Sequence, residues 1–148
     1  NLSELIDNCL KLINLPENIR VSVEHASPST TADIDKDQII QVLSNLINNA
    51  ITAMAGGGTL TLRTESDGTN ASLIVSDTGH GIPEEYAKKV FEPFFTTKQI
   101  GQGTGLGLAV TYGIIKMHRG NISFETNADP AKGPTGTKFI VTLPIRKE

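Results

Sequence analysis

The sequence predicts an α+β fold in which a mixed sheet is covered on one face by helices. Helical periodicity and two-residue alternation take turns along the chain, so neither element type stands alone. Two neighbouring alternating runs, "GGGTLTLRTES" and "TNASLIVSD", flank the turn-forming "DGTN" at 67–70 and read as a hairpin. With 148 residues, 38% hydrophobic and 20% charged, the chain is long enough to bury one real core and is read as a single domain, 1–148.

The elements follow in order. "NLSELIDNCLKLI" sets Leu2, Leu5, Ile6, Cys9, Leu10 and Ile13 at helical spacing, with Ser3 as N-cap. "IRVSVEH" alternates Ile19, Val21 and Val23 against polar neighbours, the pattern of a half-buried strand, and "TADID" at 31–35 reads as a second short strand. The spacing turns helical again from Asp35 to Met54, and the hairpin strands follow. Between Thr78 and Thr104, Pro83, Pro93 and many glycines interrupt every periodic run; irregular stretches of that length in a compact domain are usually functional. A helix from about Leu106 to His118, with Gly120 as its stop, leads into the strands "NISFET" and "GTKFIVTLP".

Composition excludes several function classes. The 13 basic residues are dispersed and the net charge is only −3, so no nucleic-acid surface is expected. No run approaches the ~20 apolar residues of a membrane span, and the start lacks the basic and apolar regions of a signal peptide. A soluble, cytoplasmic domain is expected. Beginning at Asn1 without Met, it reads as a piece of a longer protein whose anchorage is open. Cys9 is the single cysteine and cannot form an internal disulfide; far from the histidines, it reads as an inert thiol.

Three stretches carry candidate chemistry. On a helical wheel, Gln41, Ser44, Asn45, Asn48, Asn49 and Thr52 share one side of the 35–54 helix, opposite Ile39, Leu43, Leu46, Ile47, Ala50 and Met54. Such a face is ordinarily just solvated. This one, however, has no Glu, Lys or Arg from Gln38 to Met54, although these form helices better than Asn. Uncharged amides suit a surface that meets a metal ion or a phosphate. "LIVSDTGHGIP" then ends a strand at Asp77 and continues with Gly79 and Gly81. Asp here is either a plain turn former or a rigidly held carboxylate, whose partner would be an amino group such as that of adenine. His80 between the glycines reads as exposed and incidental.

The third stretch, "GQGTGLGLAV" at 101–110, has four glycines in seven positions. It fits neither the Walker loop, having no Lys, nor the Gly-x-Gly-x-x-Gly pattern, whose third glycine falls on a leucine. Close helix packing would explain the glycines. So would a flexible loop that offers backbone N–H groups and a helix start to a polyphosphate.

Taken together, "NLINNA", "DTGHGIP", "FEPFFTTK" and "GTGLGL" resemble, in that order, the four nucleotide-site boxes of the histidine kinase catalytic domain, a branch of the GHKL ATPase superfamily. The resemblance runs from about Leu2 to Leu143, and "NNAITAM" and "FEPFFTTK" with "GTGLGLAVTYGIIKMHRG" are most similar to the nitrogen-regulator sensor subgroup. It implies a two-layer sandwich of Bergerat type, with about five strands on one side and three helices on the other. It implies ATP and Mg²⁺ as ligands: Asn49 on the metal, Asn45 supporting phosphate and metal, Asp77 on the adenine amine, and Gly79, Gly81 and Ile82 around the base. Gly101, Gly103, Thr104, Gly105, Leu106 and Gly107 would form the phosphate side of a lid whose hinge region includes Phe91 to Lys98.

The pattern departs from many relatives after the second Asn of the first box, where Thr52 and Ala53 replace Lys and Tyr; Lys98 is the candidate replacement cation. Hydrolysing relatives carry a Glu base where Asn45 stands, and an amide cannot take a proton at pH 7. The resemblance therefore implies transfer of the γ-phosphate to a histidine on a separate dimerisation domain, with a response regulator downstream. His25, His80 and His118 lack the acceptor's setting, so the fragment carries no acceptor of its own and is expected to be a monomer. A GHKL ATPase and a non-catalytic nucleotide-binding module are the alternatives.

Overall fold

Helix α1, Leu2–Leu12, buries Leu5, Ile6 and Cys9 through its helical spacing, and strand β1, Ile19–His25, follows it. These come from a computed structural model, which describes residues 2–12, 17–25, 35–54, 56–66, 70–82 and 107–144. Helix α2 spans Lys36–Ala53, and β2 (Gly58–Ser66) and β3 (Asn70–Asp77) form the expected antiparallel hairpin. Helix α3, Gly107–Met117, leads to β4 (Asn121–Asn127), a single 3₁₀ turn at Pro130–Lys132, and β5 (Gly136–Pro144).

The sheet order is β1-β2-β3-β5-β4, with β1 parallel to β2 and every other pair antiparallel. Among the described residues this gives the three helices and five-stranded mixed sheet that the sequence predicts. The start of α2 agrees with the helical spacing expected from Asp35. Residues 31–34 of "TADID" lie outside the described residues, and Asp35 is the N-cap of α2, accepting from the N–H groups of Asp37 (3.1 Å) and Gln38 (3.2 Å). An Asp there satisfies donors that the first helical turn leaves unpaired, worth ~1 kcal/mol.

Strand register gathers one row of side chains per position. Leu62, Val75, Phe139 and Phe124 form one such row, and Leu73, Val141 and Ile122 most of another. They join Ile39, Leu43, Leu46, Ile47 and Ala50 of α2, and Met54 at its C-cap, in a single core cluster. Full burial of each large apolar side chain contributes roughly 1.5–3 kcal/mol before chain entropy is charged against it. Val21 and Val23 share this face with Leu60 and Leu62 but sit on the edge strand, where each stays 37% exposed. On the opposite face, alternation breaks at Ile74, which is only 7% exposed. Its register neighbours are Ile140 and Arg63, and the Arg63 head group is held by Glu24 and Glu65. The apolar stem of a long side chain can shield a neighbour in this way.

The end of α3 adds a detail of conformation. Gly120 N–H bonds to Ile115 O (2.9 Å) and Arg119 N–H to Lys116 O (3.1 Å), the paired bonds of a Schellman cap. The left-handed residue of that cap is Arg119 (φ 59°), one residue before the glycine expected to stop the helix. Gly120 is required for another reason: a Cβ there would stand 2.4 Å from Thr142 O of β5.

Cys9 is 1% exposed beside Ser44 Oγ, and burial pushes its thiol up, in keeping with an inert role. No helix among the described residues is long and apolar enough to cross a membrane.

Candidate functional site

The polar side of α2 is graded in depth. Gln41, Asn48 and Thr52 are exposed, whereas Ser44, Asn45 and Asn49 are half-buried. Asn45 Nδ2 donates to the hydroxyl of Thr111 (3.3 Å), a fully buried threonine one turn into α3. At the far ends of the same two helices, His118 Nε2 accepts from Asp35 N–H (3.0 Å) while Nδ1–H donates to Ile114 O (2.8 Å). The imidazole thus has both nitrogens engaged in joining α2 to α3. Because Gly107 begins α3, the Asn45–Thr111 bond sets the start of that helix beside the amide face. Thr52 turns its hydroxyl back onto Asn48 O (2.9 Å).

The second part of the site is the turn after β3. Asp77, 9% exposed, accepts two main-chain bonds on a single oxygen, Oδ1, from Gly79 N–H (2.9 Å) and Thr137 N–H (3.3 Å). Oδ2 accepts none among the described residues. Burial holds this carboxyl above its usual range, and the two N–H bonds and nearby His80 pull it back only in part. A carboxylate gripped on one oxygen, with the other uncommitted among the described residues, is an acceptor held at a rigid strand end.

The glycines of this turn answer first to the protein's own main chain. A Cβ on Gly79 would lie 2.4 Å from Ala53 O, and one on Gly81 2.1 Å from Asn127 O, where φ is also +77°. Gly79 therefore seats the turn against the last residue of α2, and His80 N–H seals the contact by donating to Ala53 O (3.2 Å). Asn49 is one helical turn before Ala53, so the amide face and the Asp77 turn meet at one end of the sandwich. His80 is exposed, and its Nδ1 bonds the Gly81 carbonyl (2.6 Å). Ile82 packs on the core, and its N–H donates to Thr126 Oγ1 (2.8 Å).

The structure thus brings together Asn45, Asn49, Asp77, Gly79, Gly81 and Ile82, with Gly107 at the head of α3. Lys98, Gly101, Gly103, Thr104, Gly105, Leu106 and the segment Phe91 to Lys98 lie outside the described residues. Thr111, Thr126 and Thr137 are additions that sequence reasoning missed. Thr126 and Thr137 face each other across β4 and β5, and Thr137 faces Asp77 across β5 and β3. Pairing "VSD" against "GTKF" would have found Thr137.

A family model described as histidine kinase-, DNA gyrase B- and HSP90-like ATPase matches residues 34–147. Sporulation kinase A of Bacillus subtilis is 36% identical over 97% of this chain and 23% of its own length. Among solved structures, a mycobacterial sensor histidine kinase, MprB, matches with a TM-score of 0.85 and 29% identity, covering 99% of this chain and 97% of that one. The nucleotide-free catalytic domain of the histidine kinase ThkA matches with a TM-score of 0.83 and 36% identity, covering 97% and 94%. The chain spans 15% to 32% of the length of the first curated relatives it matches.

Proposed function

Because the chain belongs to the histidine kinase-, DNA gyrase B- and HSP90-like ATPase family, we propose that it is the catalytic domain of a sensor kinase. In this reading it binds Mg-ATP and passes the γ-phosphate to a histidine on a separate dimerisation domain of its parent protein. The observation that carries the reading is Asp77: a buried carboxylate held on Oδ1 by two backbone N–H groups, beside the amide-bearing end of α2. Oδ2 is the acceptor for an exocyclic amine, which adenine has and guanine lacks at the equivalent position.

Asn45 and Asn49 fit the polyphosphate and its metal. Both offer hard amide oxygens without charge, and the Asn45–Thr111 bond fixes the orientation of that amide. Mg²⁺ bound there, chiefly by Asn49, supplies neutralisation of phosphate charge. The start of α3 at Gly107 adds N–H groups to the same end of the site, and the glycine-rich segment 101–106 with Lys98 is assigned to its phosphate side. Phosphoryl transfer to a neutral imidazole asks mainly for alignment and charge stabilisation, which this set provides. Neither Asn45 nor Asn49 can act as a base toward water. A response regulator is assigned downstream of the parent, in keeping with the solved complex of ThkA with its response regulator TrrA, a neighbour at 33% identity.

Mixing the chain with the parent's dimerisation domain and γ-labelled ATP tests the transfer. Acid-labile label on the dimerisation domain is expected. Label recovered only as free phosphate would instead favour an ATPase, and ATP binding with neither product a regulatory module.

A further inference from the structure

We propose that Thr126 is a positioning residue for base recognition, holding both the turn and the strand that aim Asp77. The assignment rests on the nucleotide reading above. Thr126 lies outside the four boxes, on β4, two strands away from Asp77 in the sheet.

The Thr126 hydroxyl makes three bonds. It accepts from Ile82 N–H (2.8 Å), donates to Gly136 O (3.1 Å), and lies 2.9 Å from Thr137 Oγ1. A hydroxyl has one proton and two lone pairs, so with its proton on Gly136 O the remaining bond has Thr137 as donor. Its capacity is then full. Each partner bears on Asp77 from a different side. Ile82 closes the turn whose Gly79 N–H grips Oδ1, and Thr137 supplies the other N–H on Oδ1. Gly136 is packed so closely that a Cβ there would stand 2.2 Å from Asp77 O.

One hydroxyl therefore ties the exit of the turn to the strand that fixes the carboxylate, and so determines where Oδ2 points. Valine has the same shape without the bonds. In Thr126→Val, the Ile82 N–H and Gly136 O lose their partner, the turn is released at one of its three main-chain anchors (Asp77 Oδ1, Ala53 O and Thr126 Oγ1), and the amine contact suffers first. The phosphate side, on α2 and α3, is untouched.

The test is the preference for ATP over inosine triphosphate, which lacks the exocyclic amine, measured by displacement of a fluorescent ATP analogue. Thr126→Val is expected to weaken ATP by about 5- to 20-fold and inosine triphosphate by less than about twofold. Thr126→Ser, which keeps the hydroxyl, is expected to restore the native preference. Equal losses for both nucleotides, no loss for either, or a serine variant that behaves as valine would overturn the assignment. Failure of the native chain to bind ATP would sink the nucleotide reading itself. If the valine variant gives no cooperative melting transition, Thr126→Ala is read by the same ratio.

Discussion

Replacing Asp77 by Asn is expected to weaken ATP binding by about 30- to 1,000-fold, or ~2–4 kcal/mol. The substitution is nearly isosteric. The Asn oxygen can take the place of Oδ1 and keep the bonds from Gly79 and Thr137, which puts the NH₂ group where Oδ2 was. A donor then faces the donor that adenine presents. If the amide rotates the other way, Gly79 and Thr137 N–H meet an NH₂ and the turn itself is disturbed. The first orientation loses the base contact, and the second keeps an acceptor there only by breaking the two bonds that position the turn. Isothermal titration of the variant with Mg-ATP checks this, and an affinity equal to the native chain's would remove Asp77 from the site.

The same substitution is expected to leave the domain at least as stable at pH 7. Burial raises the Asp77 carboxyl above its ordinary value of 3.8, so folding favours the protonated form. A carboxyl shifted upward contributes stability that is fully present below its unfolded value and is lost as pH rises through its folded value. At neutral pH the native chain therefore bears the cost of a desolvated charge that Asn does not carry. The melting-temperature difference between variant and native chain should move in the variant's favour as pH rises from below 3.8 toward 7. Other carboxyls titrate in both proteins and cancel. A loss of binding without loss of stability marks a residue kept for the ligand.

Much of this is legible in the sequence because it is local. The α2 wheel separates the buried Leu43, Leu46 and Ile47 from the half-buried Asn45 and Asn49 by helical period alone, and the β2–β3 hairpin follows from alternation around one turn. What stays hidden depends on register between distant segments. The Asn45–Thr111 bond joins residues 66 apart, and Thr137 reaches Asp77 across 60. Nothing in "NISFET" marks Thr126 as more than a strand threonine until β4, β5 and the turn are brought side by side. Local rules also leave the conformations at two helix ends open. They offer Asp35 to both a strand end and a helix start, and it caps the helix; they mark Gly120 as a helix stop, and Arg119, one residue earlier, takes the left-handed conformation. In the second case β5 decides the outcome, since only glycine clears the Thr142 carbonyl.

Gly81→Ala is expected to destabilise the domain by about 2–4 kcal/mol, lowering the melting temperature by roughly 5–15 °C. Two penalties act at once. At φ +77° an alanine is in the left-handed region, and its Cβ would lie 2.1 Å from Asn127 O. Asn127 cannot easily retreat. It ends β4 paired with Gly136, its Nδ2 donates to the carbonyls of Gly133 (3.2 Å) and Pro134 (3.0 Å), and its Oδ1 accepts from Asp129 N–H (3.0 Å). The strain must then move the Asp77 turn, so ATP binding should fall along with stability, unlike the Asp77 variant. Gly113 supplies the contrast. It lies inside α3, where a Cβ would meet no described atom within 4 Å, and Gly113→Ala should stabilise by about 0.5–1 kcal/mol through helix propensity. Thermal melts of the two variants beside the native chain decide the matter: if both alanines shift the midpoint alike, the Gly81–Asn127 approach does not constrain the turn.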